Sequence, residues 1–236
     1  MITVAVCVAA GAEPAAETID ALGGRAVVVR ADTVWQARRR ALAECDSEVL
    51  AFVDGDVVVA PGWIESLEAA WAEAPQEIAA IGGPVRMRGV AHAHGSAART
   101  PDAVASLVDL GSEALDLDPL ERTLLAGNLS FRVAPLRGAG GFAPTVDRGD
   151  ARDWFAEEHE AQRQLGHWGW LVRYDPAPAA ERLPDWPGRP RGRRFRHGLR
   201  LGIARGRSAA VAARALAPAL AGAIVARLRR KAELAQ

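Results

Sequence analysis

Short apolar runs that alternate with helix-length stretches constrain the fold of this chain most. Four such runs are rich in β-branched residues: ITVAVCV (2–8), RAVVVR (25–30), EVLAFV (48–53) and EIAAIGGPV (77–85). The stretches between the first three have the length and composition of helices, and Gly23-Gly24 ends the first one. This alternation predicts an α/β fold in which helices cover both faces of a mostly parallel sheet.

Composition narrows the class of protein further. The 236 residues, of which 50% are hydrophobic, are enough for one α/β domain with an appendage. The formal net charge is zero, so we expect no nucleic-acid partner. Cys7 and Cys45 are too few for a disulfide framework or a zinc knuckle. The N-terminal stretch lacks a basic n-region and alternates like a core strand, so we expect a cytoplasmic protein.

Two aspartates separated by one glycine follow the third apolar run. Asp54 and Asp56 therefore fall where a strand of a parallel sheet ends, and ligands of such sheets bind beyond that edge. Two nearby carboxylates repel unless a positive group lies between them, and a divalent cation is the usual one. The pattern thus predicts a metal-assisted site for phosphate chemistry.

The second half of the chain has a less regular pattern. For residues 87–118 we predict a loop and one helix, with His92 and His94 exposed in the loop rather than paired on a metal. The segment GNLSFRVAPLRGAGGF (127–142) predicts a Gly-Asn turn, a short strand and a helical turn before two glycines. An acidic amphipathic helix at 153–166 and the strand WLVRYDP (170–176) follow.

Three segments, in this order, resemble family-2 glycosyltransferases of the GT-A fold. They are EVLAFVDGDVVVAPGWIESL (48–67), GNLSFRVAPLRGAGGF and EEHEAQRQLGHWGWLVRYDP (157–176). The first resembles the strand with the family's Asp-any-Asp motif, and the second its Gly-Asn turn and Gly-Gly-Phe segment. The third is similar to the family's acidic pair, helix, Gly-Trp and Tyr-Asp-Pro run. The resemblance implies a GT-A-like catalytic domain at 1–185 and an Arg-rich helical extension at 186–236.

The resemblance also implies roles on the donor side of the site. Asp56 would hold Mg²⁺ or Mn²⁺, and Asp54 would share the metal or contact the ribose. Asp32 and Arg38 would bind the donor nucleotide. The implied reaction is an inverting transfer of a sugar from a nucleotide sugar to a hydroxyl acceptor. We expect it to be non-processive, because the Gln-any-any-Arg-Trp signature of processive synthases is absent.

On the acceptor side, the resemblance assigns a base and an acceptor site. Glu158 would be the general base, and Glu157 would orient substrate or stabilise the helix N-terminus. Gly127 and Asn128 would contact the acceptor, although Asn128 equally suits a tight turn. Trp154 would offer a stacking face to a sugar.

Two features of the sequence depart from the family pattern. The acid pair expected after the second strand is reduced to Asp32, and a strand–helix unit is missing, so the donor half is shortened. The histidine expected after Tyr-Asp-Pro is also missing, and its place falls near Glu181 or Arg182. An arginine there could neutralise a diphosphate directly, whereas a glutamate could bind metal.

Two other functions compete with glycosyl transfer. Haloacid dehalogenase-like phosphatases also carry two aspartates after an apolar strand, and GDARD (149–153) resembles their later magnesium motif. Their phosphate-neutralising lysine has no counterpart, since Lys231 is the only lysine. A catalytically degenerate glycosyltransferase fold that acts as a binding protein is the second alternative.

The arginine-rich C-terminal stretch leaves two interpretations open. Residues 189–236 predict basic, alanine-rich helices, but Arg214 and Pro218 interrupt the apolar part, so it should not span a bilayer. The helices either pack on the catalytic domain or a second subunit, forming a homodimer, or lie on an anionic membrane surface. The second interpretation suits a lipid-linked acceptor and a peripheral location on the inner membrane face.

Overall fold

The computed structural model describes residues 1–89, 108–124, 127–142 and 156–183. All of them lie in one compact unit formed by residues 1–96 and 106–188. A second unit, residues 97–105 and 189–236, lies outside the described residues. The predicted C-terminal extension and the loop with His92 and His94 also lie outside them, so those interpretations stay predictions.

Strands and helices alternate along the first half of the described chain. The strands are β1 (Ile2–Ala9), β2 (Ala26–Ala31), β3 (Val49–Asp54), β4 (Val57–Val59), β5 (Ile78–Gly82), β6 (Val85–Met87), β7 (Leu115–Leu117), β8 (Asn128–Arg132), β9 (Leu171–Tyr174) and β10 (Ala180–Arg182). The helices are α1 (Ala16–Ala21), α2 (Val34–Glu44), α3 (Trp63–Glu73), α4 (Val133–Gly138) and α5 (Ala156–His167).

Seven strands form the main sheet in the order β2-β1-β3-β8-β5-β9-β7. Strands β2, β1, β3, β5 and β9 run in one direction, whereas β8 and β7 run in the other. The predicted α/β class with a mostly parallel sheet is therefore confirmed. Because β8 is antiparallel to β3, its first residue lies at the same edge of the sheet as the last residues of β3.

Alternate residues of β3 supply two hydrophobic cores. Leu50 and Phe52 belong to a core that includes side chains of α2, α4 and α5. Ala51 and Val53 belong to a second core that includes side chains of α3. Since successive side chains of a strand point to opposite faces, helices cover the sheet on both sides. This double burial explains why the run at 48–53 is continuously apolar.

A capping box fixes the start of α2. The Thr33 hydroxyl accepts a hydrogen bond from the Gln36 amide, and the Gln36 side chain accepts one from the Thr33 amide. The helix then buries Arg38, Ala41 and Leu42 on one face, because residues three and four apart lie side by side on a helix.

Two features of the fold differ from the sequence-based prediction. Strands β4, β10 and β6 form a small second sheet that the sequence pattern did not predict. Of the loop and helix predicted for 87–118, residues 90–107 lie outside the described residues, and in the described part Leu115–Leu117 forms a strand that pairs with β9. Asp116 accepts two hydrogen bonds from Arg173, the residue opposite it, and this cross-strand pair favours a strand there.

Within the described ranges, no helix is both long and apolar enough to cross a bilayer.

Candidate active site

Charged side chains cluster at the edge of the main sheet where β3 ends. Asp54 is the last residue of β3 and lies opposite Cys7 of β1, while Val53 lies opposite Asn128 of β8. A turn at Gly55 and Asp56 connects β3 to β4. The predicted position of the two aspartates, beyond the carboxyl end of a central strand, is therefore the position that the structure shows.

Arg182 bridges the two aspartates. Its Nη1 donates to Asp56 Oδ1 at 2.5 Å, and its Nη2 donates to Asp54 Oδ2 at 2.8 Å. Strand β10 holds it there, because Arg182 pairs with Val57, the residue after Asp56. The Leu183 amide also donates to the Asp56 carbonyl at 2.9 Å.

The Arg182 guanidinium is buried, and its charge depends on the two aspartates. Burial by itself lowers the pKa of Arg182, but the attraction of Asp56 and Asp54 and their hydrogen bonds outweigh it. The pKa of Arg182 is therefore raised above the ordinary value of an arginine, and the side chain stays cationic.

Arg38 links the same cluster to helix α5. Its Nη2 donates to Asp54 Oδ1 at 2.9 Å, and its Nη1 forms an ion pair with Glu158. The side chains of Arg38 and Glu158 are 3% and 2% exposed, so this pair is closed to bulk water. Glu158 lies in the first turn of α5, where the helix dipole favours an acid.

The cluster contains three carboxylates and two guanidinium groups, all of them largely buried. Removing one partner of a buried ion pair costs about 3–5 kcal/mol, because the other charge remains buried. Apolar residues of similar volume would stabilise the fold about as well. Such a cluster is therefore a candidate functional site rather than a device for stability.

Gly127 and Asn128 line the edge of this cluster. A Cβ atom on Gly127 would lie 2.5 Å from Arg182 Nη2 and 3.2 Å from Asp54 Oδ2, so a side chain there would require the Arg182 guanidinium to move. The Asn128 side chain is buried; it accepts from Trp63 Nε1 at 3.0 Å and donates to the carbonyls of Pro84 and Pro178. Its amide thus connects three segments of the chain, and its predicted contact with an acceptor stays a prediction.

A known protein family matches part of this sequence. Residues 13–121, which include Asp54 and Asp56, match the family described as glycosyl transferase family 2. Over these residues, which are somewhat less than half of the chain, it is similar to family-2 glycosyltransferases. The match agrees with the resemblance inferred from the first motif, and the sheet confirms the α/β class. The segments 127–142 and 157–176 lie beyond the matched residues.

Two solved structures resemble this chain at low identity. A197 from STIV is 16% identical with a TM-score of 0.49, and the likeness covers 78% of this chain and 87% of that one. GalNAc-T7, solved with UDP, GalNAc and Mn²⁺, is 15% identical with a TM-score of 0.49, and 79% of this chain matches only 38% of it. At these values neither likeness supports a conclusion about ligands. A search of curated proteins found no match.

Among the other residues predicted for the site, Asp32 takes no part in the ion pairs of the cluster. Asp32 follows β2 at the same sheet edge, is exposed, and makes no ion pair with any described residue. Trp154 lies outside the described residues. Trp170 packs against the first hydrophobic core, whereas Trp168 is 69% exposed.

The residues at the aspartates do not fit a resident divalent cation in this arrangement. Arginine hydrogen bonds engage both oxygens of Asp54 and one oxygen of Asp56. Across the described ranges, no group of three His, Cys, Asp or Glu side chains is placed to hold a metal ion. A cation at Asp56 would therefore have to displace Arg182. The Mg²⁺ or Mn²⁺ site expected from the sequence stays without support from this geometry.

Sequence reasoning offered Glu181 and Arg182 as equal substitutes for the missing histidine, and the structure separates them. The Glu181 side chain is 54% exposed and pairs with Arg88, whereas the Arg182 side chain is 3% exposed and faces the aspartates. Adjacent strand residues point to opposite sides. Recognising residues 180–182 as a strand would have allowed only one of the two side chains to face the site.

Proposed function

We propose that this chain is a non-processive, inverting glycosyltransferase that moves a sugar from a nucleotide sugar to a hydroxyl acceptor. One observation carries the proposal: Asp54, Asp56 and Glu158, which lie far apart in the sequence, converge at one sheet edge of a family-2 domain. In open α/β sheets that edge is where ligands bind.

The chemistry requires a base for the acceptor hydroxyl and positive charge for the leaving diphosphate. The acceptor oxygen forms a bond to the anomeric carbon while the bond from that carbon to the diphosphate oxygen breaks. The electron pair leaves with the diphosphate, and the hydroxyl proton moves to the base. A single displacement of this kind inverts the anomeric centre.

Glu158 is the base in this proposal. Its Oε2 is buried and accepts no hydrogen bond from any described residue, while the other side of the carboxylate faces Arg38. Arg38 in turn is fixed by Asp54, so it orients Glu158 relative to the donor side of the site. We therefore assign Arg38 as a positioning residue rather than a nucleotide ligand.

The test uses a matched pair of variants in the first turn of α5. Glu158→Gln should lower turnover of the accepted nucleotide sugar by roughly 10²- to 10⁴-fold, the usual contribution of a general base. Glu157→Gln, on the adjacent and less buried position, should have a smaller effect. Release of nucleoside diphosphate from UDP- and GDP-sugars measures turnover, and calorimetry checks that both variants still bind donor.

Two results would contradict this proposal. A product that keeps the anomeric configuration of the donor, determined by NMR, would exclude the single displacement. A larger loss in Glu157→Gln than in Glu158→Gln would place the base on the neighbouring residue.

A binding protein without turnover is the second candidate, because both arginines engage the aspartates and Arg38 also engages Glu158. Nucleotide binding without sugar transfer to any acceptor, or hydrolysis of the donor, would favour it. The phosphatase alternative needs Asp54 as a nucleophile, yet both its oxygens accept hydrogen bonds from arginines. The family match also supports glycosyl transfer instead.

Contact with a membrane and a lipid-linked acceptor remain proposals from the sequence of residues 189–236. Co-sedimentation with anionic liposomes at low and high salt, with and without this segment, tests them. Binding that falls with salt and needs the segment would support a peripheral location.

A further inference from the structure

The position of Arg182 raises the question of what neutralises a donor diphosphate in this chain. Asp54 and Asp56 carry two negative charges side by side, which one divalent cation would offset. Here Arg38 and Arg182 supply two positive charges to the same carboxylates. Because Arg38 also pairs with Glu158, Arg182 is the cation whose described ion pairs are with the two aspartates alone, and it lies between them where a metal would be expected.

The backbone around Arg182 leaves room for its guanidinium beside the two aspartates. Gly127 has a φ of 110° and no side chain, and a Cβ there would lie 2.5 Å from Arg182 Nη2. Strand β10 fixes the register by pairing Arg182 with Val57 on one side and with Met87 on the other. The Arg182 guanidinium is therefore fixed in position, and it donates hydrogen bonds to the aspartates on both sides of Gly55.

Arg182 also retains capacity to bind a further anion. A guanidinium has five N–H donors, of which two are directed at the aspartates. Its Nε is buried and has no hydrogen-bond acceptor within the described ranges. Arginine binds phosphate oxygens through paired N–H donors, and this planar arrangement is what a diphosphate requires.

We infer that Arg182 takes the place of the divalent cation in this Asp-any-Asp site, so that donor diphosphate binding needs no metal. This rests on the proposed function, because a nucleotide-sugar diphosphate is the ligand that Arg182 would neutralise. In this arrangement Asp54 and Asp56 hold the Arg182 guanidinium in place instead of a metal ion.

The first experiment uses Mn²⁺ alone and does not depend on catalysis. Electron paramagnetic resonance of free Mn²⁺ should show no stoichiometric binding to the wild-type chain. Arg182→His restores the histidine that the family pattern expects near this position, and it should bind Mn²⁺ and show a higher unfolding temperature when Mn²⁺ is added. Adding Asp56→Asn to that variant should abolish both effects.

The second experiment measures binding of UDP and of GDP by calorimetry. For the wild type, affinity should be equal in EDTA and in Mn²⁺, and Arg182→Gln should lose about tenfold or more. Arg88→Gln is the matched control: it removes a cation just after strand β6 of the small sheet and makes no ion pair with either aspartate, since Arg88 pairs with Glu17 and Glu181. Its affinity should match that of the wild type.

The outcomes separate this inference from the proposed function. Stoichiometric Mn²⁺ binding by the wild type that Asp56→Asn removes would overturn the inference, as would nucleotide binding that requires Mn²⁺. If neither nucleotide binds under any condition, the proposed function fails, and the Mn²⁺ titration still decides the role of Arg182. Because that titration uses the wild type, it remains decisive even if Arg182→His does not fold.

Discussion

At the scale of single residues, the site depends on one glycine that makes room for one arginine. Gly127 combines a positive φ of 110° with close approach to Arg182 and Asp54. Gly111 has a similar φ of 116°, but a Cβ there would meet nothing within 4 Å. The two positions therefore share a φ that favours glycine and differ in the space beside them.

Gly127→Ala and Gly111→Ala test this difference. Both should lose about 1–3 kcal/mol of stability, because a side chain is strained at such φ values. Only Gly127→Ala should also displace the Arg182 guanidinium and weaken UDP or GDP binding. Urea denaturation measures the first effect and calorimetry the second. Equal nucleotide affinity in the two variants would show that the fit at Gly127 does not matter for the site.

Residue patterns predicted part of this site and missed its central contact. Asp54, Asp56 and Glu158 were predicted from motifs, and the structure brings them together. Arg182 forms its hydrogen bonds across sequence separations of 126 and 128 residues, and periodicity carries no information on such distances. The sequence could therefore suggest Arg182 only as one of two substitutes for a missing histidine.

At the scale of elements, the antiparallel strand β8 connects the site to both cores. Asn128, its first residue, accepts a hydrogen bond from Trp63 Nε1 of α3 at 3.0 Å. Two residues further, Ser130 accepts one from Trp71 Nε1 of the same helix, also at 3.0 Å, and donates to the Ile81 carbonyl. Both polar side chains are buried, and each satisfies an indole and a carbonyl.

Asn128→Ala and Ser130→Ala form a matched pair at these positions. Each variant should lower the free energy of unfolding, because it leaves buried polar groups without a partner. The cost of each such group is about 1–3 kcal/mol. Neither should change KM for the acceptor if the amide of Asn128 only connects elements. Denaturation and steady-state kinetics measure the two effects. A rise in KM confined to Asn128→Ala would instead support the acceptor contact that the family resemblance implies.

The sequence predicted strands that have a long apolar run of their own. It did not predict short strands that form only by pairing with a segment far away in the sequence. The long runs of β1, β3 and β5 are buried on both faces, so their continuous apolar pattern identified them. Strands β4 and β10 have three residues each and exist because they pair with each other across the chain. A segment this short has no period that the sequence could reveal.

At the scale of the whole molecule, the stability of the fold is coupled to the site through β1. Cys7 lies opposite Asp54 in the parallel pair β1–β3 and is 4% exposed. Burial raises the pKa of the Cys7 thiol from 9.0 to about 12; attraction to Arg38 lowers it and the charge of Asp54 raises it. The folded chain therefore holds this proton more tightly than the unfolded chain does.

The stability of the protein should consequently fall in mildly alkaline solution. Because the pKa is raised on folding, the thiol contributes fully below about pH 9, and the contribution is lost as pH rises toward about 12. The slope for one such group is about 1.4 kcal/mol per pH unit within that window.

Urea denaturation at a series of pH values from about 8 to about 10.5 measures this slope, with Cys7→Ala as the reference. Tyr174, whose pKa burial also raises, titrates in both chains and cancels in the difference. The free energy of unfolding of the wild type should fall more steeply than that of Cys7→Ala, and parallel curves would mean that folding does not raise the pKa of the Cys7 thiol.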